Sequence, residues 1–126
     1  MRNEVSIRDG VLRVAIRGHQ DAAEMEAMLE RVRGLASDAS EPIGVVLDVT
    51  DAGGSLPRAR RSALDVLRRT RFAGVAVVGA SWAQRMRLGL VLRLLGGETP
   101  VRYFASEEEA LRWLRRRGTA VDAGDD

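Results

Sequence analysis

The chain has 126 residues, a formal net charge of +2 and no cysteine. This length predicts one domain with a single hydrophobic core. The lack of cysteine excludes disulfides, thiol catalysis and thiolate metal sites in these residues, and it is typical of proteins from a reducing compartment. All 20 basic residues are arginine, so a Walker A lysine and Schiff-base chemistry are excluded as well.

Nothing in the sequence predicts export or membrane insertion. The first ten residues are charged and lack an apolar core, so they do not resemble a signal peptide. The longest apolar-rich segment, 82–95, is interrupted by Arg85, Arg87 and Arg93, and no stretch approaches the roughly 20 apolar residues that span a bilayer. We therefore expect a soluble, cytoplasmic protein.

The chain opens with a predicted hairpin. Apolar and polar residues alternate over 4–8 and 11–17, as they do in half-buried strands. Asp9-Gly10 lies between the two runs and is typical of a type I′ turn, in which both central residues need a positive φ. Gly18 ends this pattern, and helical spacing of apolar residues then predicts a helix at about 20–36.

The rest of the chain alternates between apolar strands and amphipathic helices. Residues 43–49 form a continuous apolar run, which is typical of a strand buried on both faces. A glycine-containing loop follows at 50–56. The remaining predicted elements are a helix beginning at Pro57 and ending near 70, a strand at 74–78, a helix at 82–95, a strand at 101–104, and a final helix preceded by the capping box Ser106–Glu109.

The element order is β-β-α-β-α-β-α-β-α. It predicts an α/β fold with a mixed, mostly parallel five-stranded sheet, four helices, right-handed crossovers, and a first strand that is antiparallel at or near an edge. We predict a single domain over 1–117. Residues 118–126 are small, polar and acidic and are expected to form a disordered tail.

Two segments carry a resemblance to a known family. The first segment is Val75-Ala-Val-Val-Gly-Ala-Ser-Trp82, and the second is 101–114, which contains Phe104, Glu107–Glu109 and Trp113-Leu114. Together they resemble the STAS domain superfamily, and within it the SpoIIAA-like (STAS/SEC14) branch. The opening hairpin and the Val-Leu-Asp-Val strand agree with it. The resemblance covers about residues 4–115 and implies a bacterial regulatory module that acts by docking to a protein partner.

The resemblance also implies where regulation would act. In phosphoswitch members of the superfamily, a serine after the third strand is phosphorylated to block partner binding. The corresponding motif should fall near Leu56–Ala59, where this sequence has no hydroxyl residue. Ser55 is the nearest candidate phosphoacceptor, shifted from the family position. The SEC14 relationship further suggests a lipid-like ligand by analogy of fold.

Several residues have the chemical character of catalytic or ligand-binding groups. Ser81 lies in a strand-to-helix turn that resembles a nucleophile elbow, but the single histidine, His19, precedes it in the chain, and a helix N-cap is the favoured role for Ser81. For Asp48 and Asp51 an Asx turn or cap is favoured over a metal site, because two carboxylates without a third ligand hold a metal weakly. We predict no catalytic residues, no metal site and no cofactor.

The remaining candidates are surface residues. The helix at 82–95 is more apolar than packing on one side of a sheet requires, which indicates either a docking surface or burial on two sides. Arginines dominate 57–71, with six against Asp65, and suit an anionic partner or head group. The candidate partner or ligand surface comprises Ser55, Arg58, Arg61, Trp82, Arg85, Leu90 and Leu94.

Two functional hypotheses follow from this surface. The first is a non-enzymatic regulatory module that docks to a protein partner or to a second copy of itself through the 82–95 helix and the 50–58 loop. The alternative is a carrier or sensor of a hydrophobic, lipid-like ligand, with or without an anionic head group. A hydrolase dependent on Ser81 is a third and weaker alternative, and nucleic-acid binding is not expected.

Overall fold

The structure, a computed structural model of the chain, describes residues 3–38, 42–55, 72–86 and 100–118. The predicted helix at 57–70 and most of the predicted acidic tail lie outside these residues. Of the predicted helix at 82–95, only 82–86 are described, and they are helical as expected.

The described residues form seven strands and three helices. In chain order they are β1 (Glu4–Arg8), β2 (Val11–Ala15), β3 (Gly18–Gln20), α1 (Ala22–Ser37), β4 (Ile43–Asp48), β5 (Ala52–Ser55), β6 (Phe72–Val78), α2 (described over 82–86), β7 (Val101–Phe104) and α3 (Glu107–Gly118). Within this part of the chain, no helix is long and apolar enough to cross a membrane.

The central sheet has the predicted number of strands and the predicted strand directions. Its five strands lie in the order β1-β2-β4-β6-β7. Strand β1 is antiparallel to β2 and forms one edge, and the other neighbouring pairs are parallel. At the hairpin, Asp9 has a φ of 52° and Gly10 a φ of 76°, as a type I′ turn requires. The prediction of a mixed, mostly parallel sheet with an antiparallel edge strand is confirmed.

A second, two-stranded sheet was not predicted. Residues 18–20 and 52–55 pair in parallel as β3 and β5, although the sequence predicted a helix start and a loop there. The pairing depends on glycine: a Cβ on Gly53 would lie 2.9 Å from the backbone nitrogen of His19. Helix α1 consequently begins later than predicted, after Asp21, whose carboxylate accepts the Glu24 N–H at 2.8 Å.

The two faces of the central sheet carry separate apolar cores. Helix α1 covers the face that presents Leu12, Val14, Val45, Val75 and Val77, because alternate residues of a strand point to the same side. Helix α3 covers the opposite face, where its buried residues are Ala110, Trp113 and Leu114 and the sheet contributes Val46, Ala76 and Val78.

Glycines in the sheet allow α3 to pack closely. A Cβ on Gly44 would lie 3.1 Å from Leu114 Cδ2, and one on Gly74 would lie 3.2 Å from the Trp113 ring. Phe104 packs against Trp113 with ring centroids 5.6 Å apart. The N-terminus of α3 is capped as predicted, because the Ser106 hydroxyl accepts the Glu109 N–H at 3.3 Å. Trp113 and Phe104 are therefore packing residues.

Candidate functional site

The loops after β2, β4 and β6 meet at the carboxyl edge of the sheet, which is where α/β proteins commonly place their functional residues. Backbone hydrogen bonds connect these loops. The Ile16 N–H donates to the Asp48 carbonyl at 3.0 Å, the Gly18 N–H to that of Asp51 at 2.9 Å, and the Val49 N–H to that of Val78 at 3.0 Å. These bonds fix the backbone of the three loops relative to one another, and so fix the positions from which their side chains extend.

Asp48 organises the turn after β4. One carboxylate oxygen accepts both the Thr50 N–H, at 3.0 Å, and the Thr50 hydroxyl, at 2.7 Å. This is the Asx-turn role that the sequence favoured. Partial burial alone would raise the pKa of Asp48, but the two bonds from Thr50, helped by the charges of Arg13 and Arg17, hold that pKa below its ordinary value.

Arg13 joins four elements on the face covered by α3. Its guanidinium pairs with Glu107 of α3, lies 3.5 Å from the Asp48 carboxylate, and lies 3.9 Å from Glu4 of β1. In the sequence, Arg13 is only one of the polar residues of an alternating strand. The strand register explains the cluster, because Ala15 of β2 lies opposite Asp48 and Arg13 is therefore a diagonal neighbour of that carboxylate.

A shallow groove of about 170 Å³ lies beside this cluster. Val11, Val46 and Leu111 line its apolar part. The charged residues that line it are Arg8, Asp9, Arg13, Glu107 and Arg115. Three arginines and two carboxylates therefore surround it, and Arg13 is paired with Glu107.

Ser81 caps helix α2. Its hydroxyl accepts the Gln84 N–H at 3.2 Å, while the Gln84 side chain accepts the Ser81 N–H at 2.7 Å. This reciprocal pair is a capping box and confirms the predicted N-cap. The Gln84 amide also donates to the Val49 carbonyl at 3.3 Å, so the start of α2 is attached to the turn after β4.

Helix α2 presents an exposed apolar pair beside this capped start. Trp82 is 76% exposed and Met86 is 59% exposed, and a spacing of four residues places them on the same side of the helix. Arg85 lies between them in sequence. Its guanidinium packs over the Tyr103 ring, 5.4 Å from the centroid, and donates to the Ala80 carbonyl at 3.3 Å.

The structure describes some of the predicted site residues and not others. It places Trp82 and Arg85 together at the start of α2. Ser55 lies in β5, opposite Gln20, and not in the predicted loop. Arg58, Arg61, Leu90 and Leu94 lie outside the described residues.

The two other candidates for chemistry are now located. His19 lies in the small second sheet and is exposed, not at the start of a helix. Within the described ranges, no group of three or more histidine, aspartate or glutamate residues could hold a metal ion. Strands β3 and β5 were not predicted; the signals for them were Gly53, on which a Cβ would lie 2.9 Å from the His19 backbone nitrogen, and Gly18, which has a φ of 71°.

Comparison with known proteins agrees with this architecture. The family model described as SpoIIAA-like matches residues 11–115. A sequence search of curated proteins finds no match. Among solved structures, an uncharacterised protein of the DUF3478 family with a SpoIIAA-like fold, from Shewanella loihica PV-4, is similar with a TM-score of 0.72 and 18% identity, covering 89% of this chain and 91% of the other.

Anti-sigma factor antagonists have the same fold. The structure of SpoIIAA in its unphosphorylated form is similar with a TM-score of 0.62 and 12% identity, covering 90% of this chain and 97% of the other. An anti-sigma factor antagonist from Mycobacterium paratuberculosis is similar with a TM-score of 0.60 and 20% identity, covering 90% of this chain and 92% of the other. At these low sequence identities, the similarity shows a shared fold.

Proposed function

The chain belongs to the SpoIIAA-like family, and from this premise we propose that it is a non-enzymatic regulatory module that docks to a protein partner through the start of α2. The observation that carries the proposal is the exposed Trp82–Met86 pair. Trp and Met are enriched in the cores of protein interfaces, and a large exposed aromatic side chain is a typical anchor residue.

The setting of this pair suits docking. Ser81 and Gln84 cap the helix, and Gln84 also bonds the turn after β4, so Trp82 is presented from a fixed backbone. Arg85 is held beside it over the Tyr103 ring. An aromatic anchor on a fixed backbone does not lose backbone freedom on binding, which favours affinity.

The proposed surface extends beyond the described residues. Leu90 and Leu94 continue the predicted helix from Trp82, and Arg58 and Arg61 follow Ser55, the last residue of β5. We include all four in the docking surface, with Ser55 as a candidate phosphoacceptor. A phosphate there would add about two negative charges next to an arginine-rich segment, and we expect Ser55→Asp to change partner affinity while Ser55→Ala retains it.

An affinity-capture experiment with matched variants tests docking. We would immobilise the wild-type protein, Trp82→Ser, and Glu108→Ser, which alters an exposed residue on α3. Proteins retained by wild type and Glu108→Ser but lost from Trp82→Ser would be purified, and their binding measured by calorimetry. Capture of the same proteins by all three, with circular dichroism showing that all three are folded, would contradict the proposal.

A second candidate function uses the same surface for a hydrophobic, anionic ligand. The observation in its favour is the position of the Arg85 guanidinium beside two exposed apolar side chains, which together resemble the contact surface for a lipid-like molecule with a charged head group. Organic extraction of the purified protein followed by mass spectrometry tests it. A ligand that co-purifies with wild type but not with Arg85→Ser would favour this function over protein docking, and an empty extract would reject it.

A further inference from the structure

Strand β1 is an open edge of the central sheet. Among the described strands it pairs only with β2, and an unpaired edge is a template for pairing with another chain. Ile7 is 45% exposed on this strand, although Val5, on the same face, is buried. Natural proteins commonly protect such an edge with charged residues, and β1 carries two, Glu4 and Arg8.

The hairpin determines which backbone groups of β1 face outward. In a two-residue hairpin the residues that flank the turn, here Arg8 and Val11, exchange both of their hydrogen bonds. Alternation along β1 then directs the N–H and C=O groups of residues 4, 6 and 8 toward β2, and those of Val5 and Ile7 outward. The Val5 carbonyl agrees with this assignment, because it accepts a hydrogen bond from Arg31 of α1 at 3.3 Å.

The sequence of β1 is complementary to itself in antiparallel order. When two copies of Glu4-Val5-Ser6-Ile7-Arg8 pair about a two-fold axis at Ser6, Glu4 lies opposite Arg8 of the second copy and Val5 lies opposite its Ile7. Charges that only protect a strand edge should repel a second copy of that edge. In this register, Glu4 and Arg8 instead attract the Arg8 and Glu4 of the second copy. Moving the register by two residues in either direction removes both charge pairs.

From this complementarity we infer that the protein self-associates through β1, forming a symmetric dimer in which the two central sheets join into one. Four backbone hydrogen bonds form between Val5 and Ile7 of the two copies, and each Ile7 side chain becomes buried against Val5 and Ile7 of the second copy. The assembly stops at two copies, because both copies contribute the same surface to a two-fold symmetric contact. It leaves the start of α2 outside the contact.

The charges of β1 are available for this contact. Arg8 forms no ion pair among the described residues. Glu4 is bonded to Arg17 at 2.7 Å, which holds its pKa below the ordinary value, so it is a carboxylate at neutral pH. A carboxylate accepts several hydrogen bonds at once, and Glu4 therefore can bind Arg8 of a second copy while it retains Arg17.

Among the described residues, the Arg31 guanidinium is the group that must move, because it binds the outward-facing Val5 carbonyl. Its bond to Val5 is long for a charged donor, and a carbonyl oxygen has two lone pairs, so the Ile7 N–H of a second copy can bind once the side chain turns toward solvent. A contact of one short strand is small, and we expect a weak, concentration-dependent dimer.

Sedimentation equilibrium of the full chain from micromolar to millimolar concentration tests this inference. Wild type should show a reversible monomer–dimer equilibrium. Ile7→Lys and Arg8→Glu should each weaken the dimer roughly tenfold or more, whereas Arg33→Glu, the same charge change at an exposed position of α1, should not. A wild-type protein that is monomeric at every concentration, or a dimer that Ile7→Lys and Arg8→Glu leave unchanged, would overturn it.

A mixing experiment tests the register. Glu4→Arg and Arg8→Glu should each fail to self-associate, because like charges then lie opposite each other. An equimolar mixture should form a heterodimer, since each charge again meets its opposite. Circular dichroism establishes that both variants are folded, and Glu4→Gln, which removes the charge without opposing Arg17, replaces Glu4→Arg in the self-association test if Glu4→Arg unfolds. A mixture of folded variants that stays monomeric would reject this register.

Discussion

Thr50 occupies the space in which a side chain at residue 79 would lie. A Cβ on Gly79 would overlap the Thr50 hydroxyl oxygen and would lie 3.0 Å from its Cα. Gly79 also has a φ of 79°, which L residues with a side chain rarely adopt. The turn after β6 therefore fits the turn after β4 only with glycine, and this fit positions Ser81 and the start of α2.

We predict that Gly79→Ala destabilises the protein more than Gly10→Ala does. Both glycines have a positive φ, but nothing lies within 4 Å of a Cβ on Gly10. Gly10→Ala should lower the free energy of unfolding by roughly 1–2 kcal/mol through backbone strain alone. Gly79→Ala should lower it by about 1–3 kcal/mol more through overlap with Thr50. Urea titration compares them, and equal losses would show that the contact with Thr50 relaxes without cost.

Helix α3 should be held mainly by its two buried large residues. Leu114 is 1% exposed and packs over Gly44, so Leu114→Ala should cost roughly 2–5 kcal/mol of unfolding free energy. Leu111, three residues earlier, is only partly buried and serves as the matched control, for which we expect a clearly smaller loss. Similar losses at both positions would mean that α3 packs through a different face.

The hydrogen bonds from Thr50 should affect the titration of the Asp48 carboxyl at acidic pH. The folded pKa of Asp48 lies below 3.8, the value taken for the unfolded chain, so its contribution to stability is complete above that value and is lost as the pH falls through the folded pKa. Thr50→Val removes the hydroxyl donor and should move the Asp48 pKa upward. Carboxyl NMR titration measures the change, and an unchanged pKa would show that the hydroxyl bond is unimportant in solution.

The two tryptophans should report different environments. Trp82 is 76% exposed and Trp113 is 7% exposed. Trp113→Phe should therefore leave a red-shifted emission that acrylamide quenches readily, and Trp82→Phe should leave a blue-shifted emission that resists quenching. A blue-shifted, protected Trp82 in the isolated protein would show that its surface is already covered, and would contradict its role as an open docking residue.

The central sheet followed from local patterns in the sequence. Alternation over β1 and β2, the Asp9-Gly10 turn and the continuous apolar run of β4 each depend on residues close in the chain, and the parallel order follows from the alternation of strands with helices. The capping roles of Ser81 and Ser106 were predicted for the same reason. In each case the sequence neighbour is also the structural partner.

The small sheet of β3 and β5 could not be predicted in this way. Its strands are short and have no apolar alternation, and they pair only because the end of β2 and the turn after β4 lie side by side in the folded chain. The Arg13 cluster has the same origin: its carboxylates come from β1, β4 and α3, far apart in the sequence, and only the strand register brings them to one guanidinium.

The sequence by itself determined the fold class, the family and the residues that form the central sheet and the helix caps, because hydrophobic periodicity and turn chemistry act over a few residues. The tertiary structure decided which side chains remain exposed, since exposure depends on what distant elements cover. Packing left Trp82 and Met86 uncovered on α2 and Ile7 uncovered at the sheet edge, and these are the residues from which both proposals start.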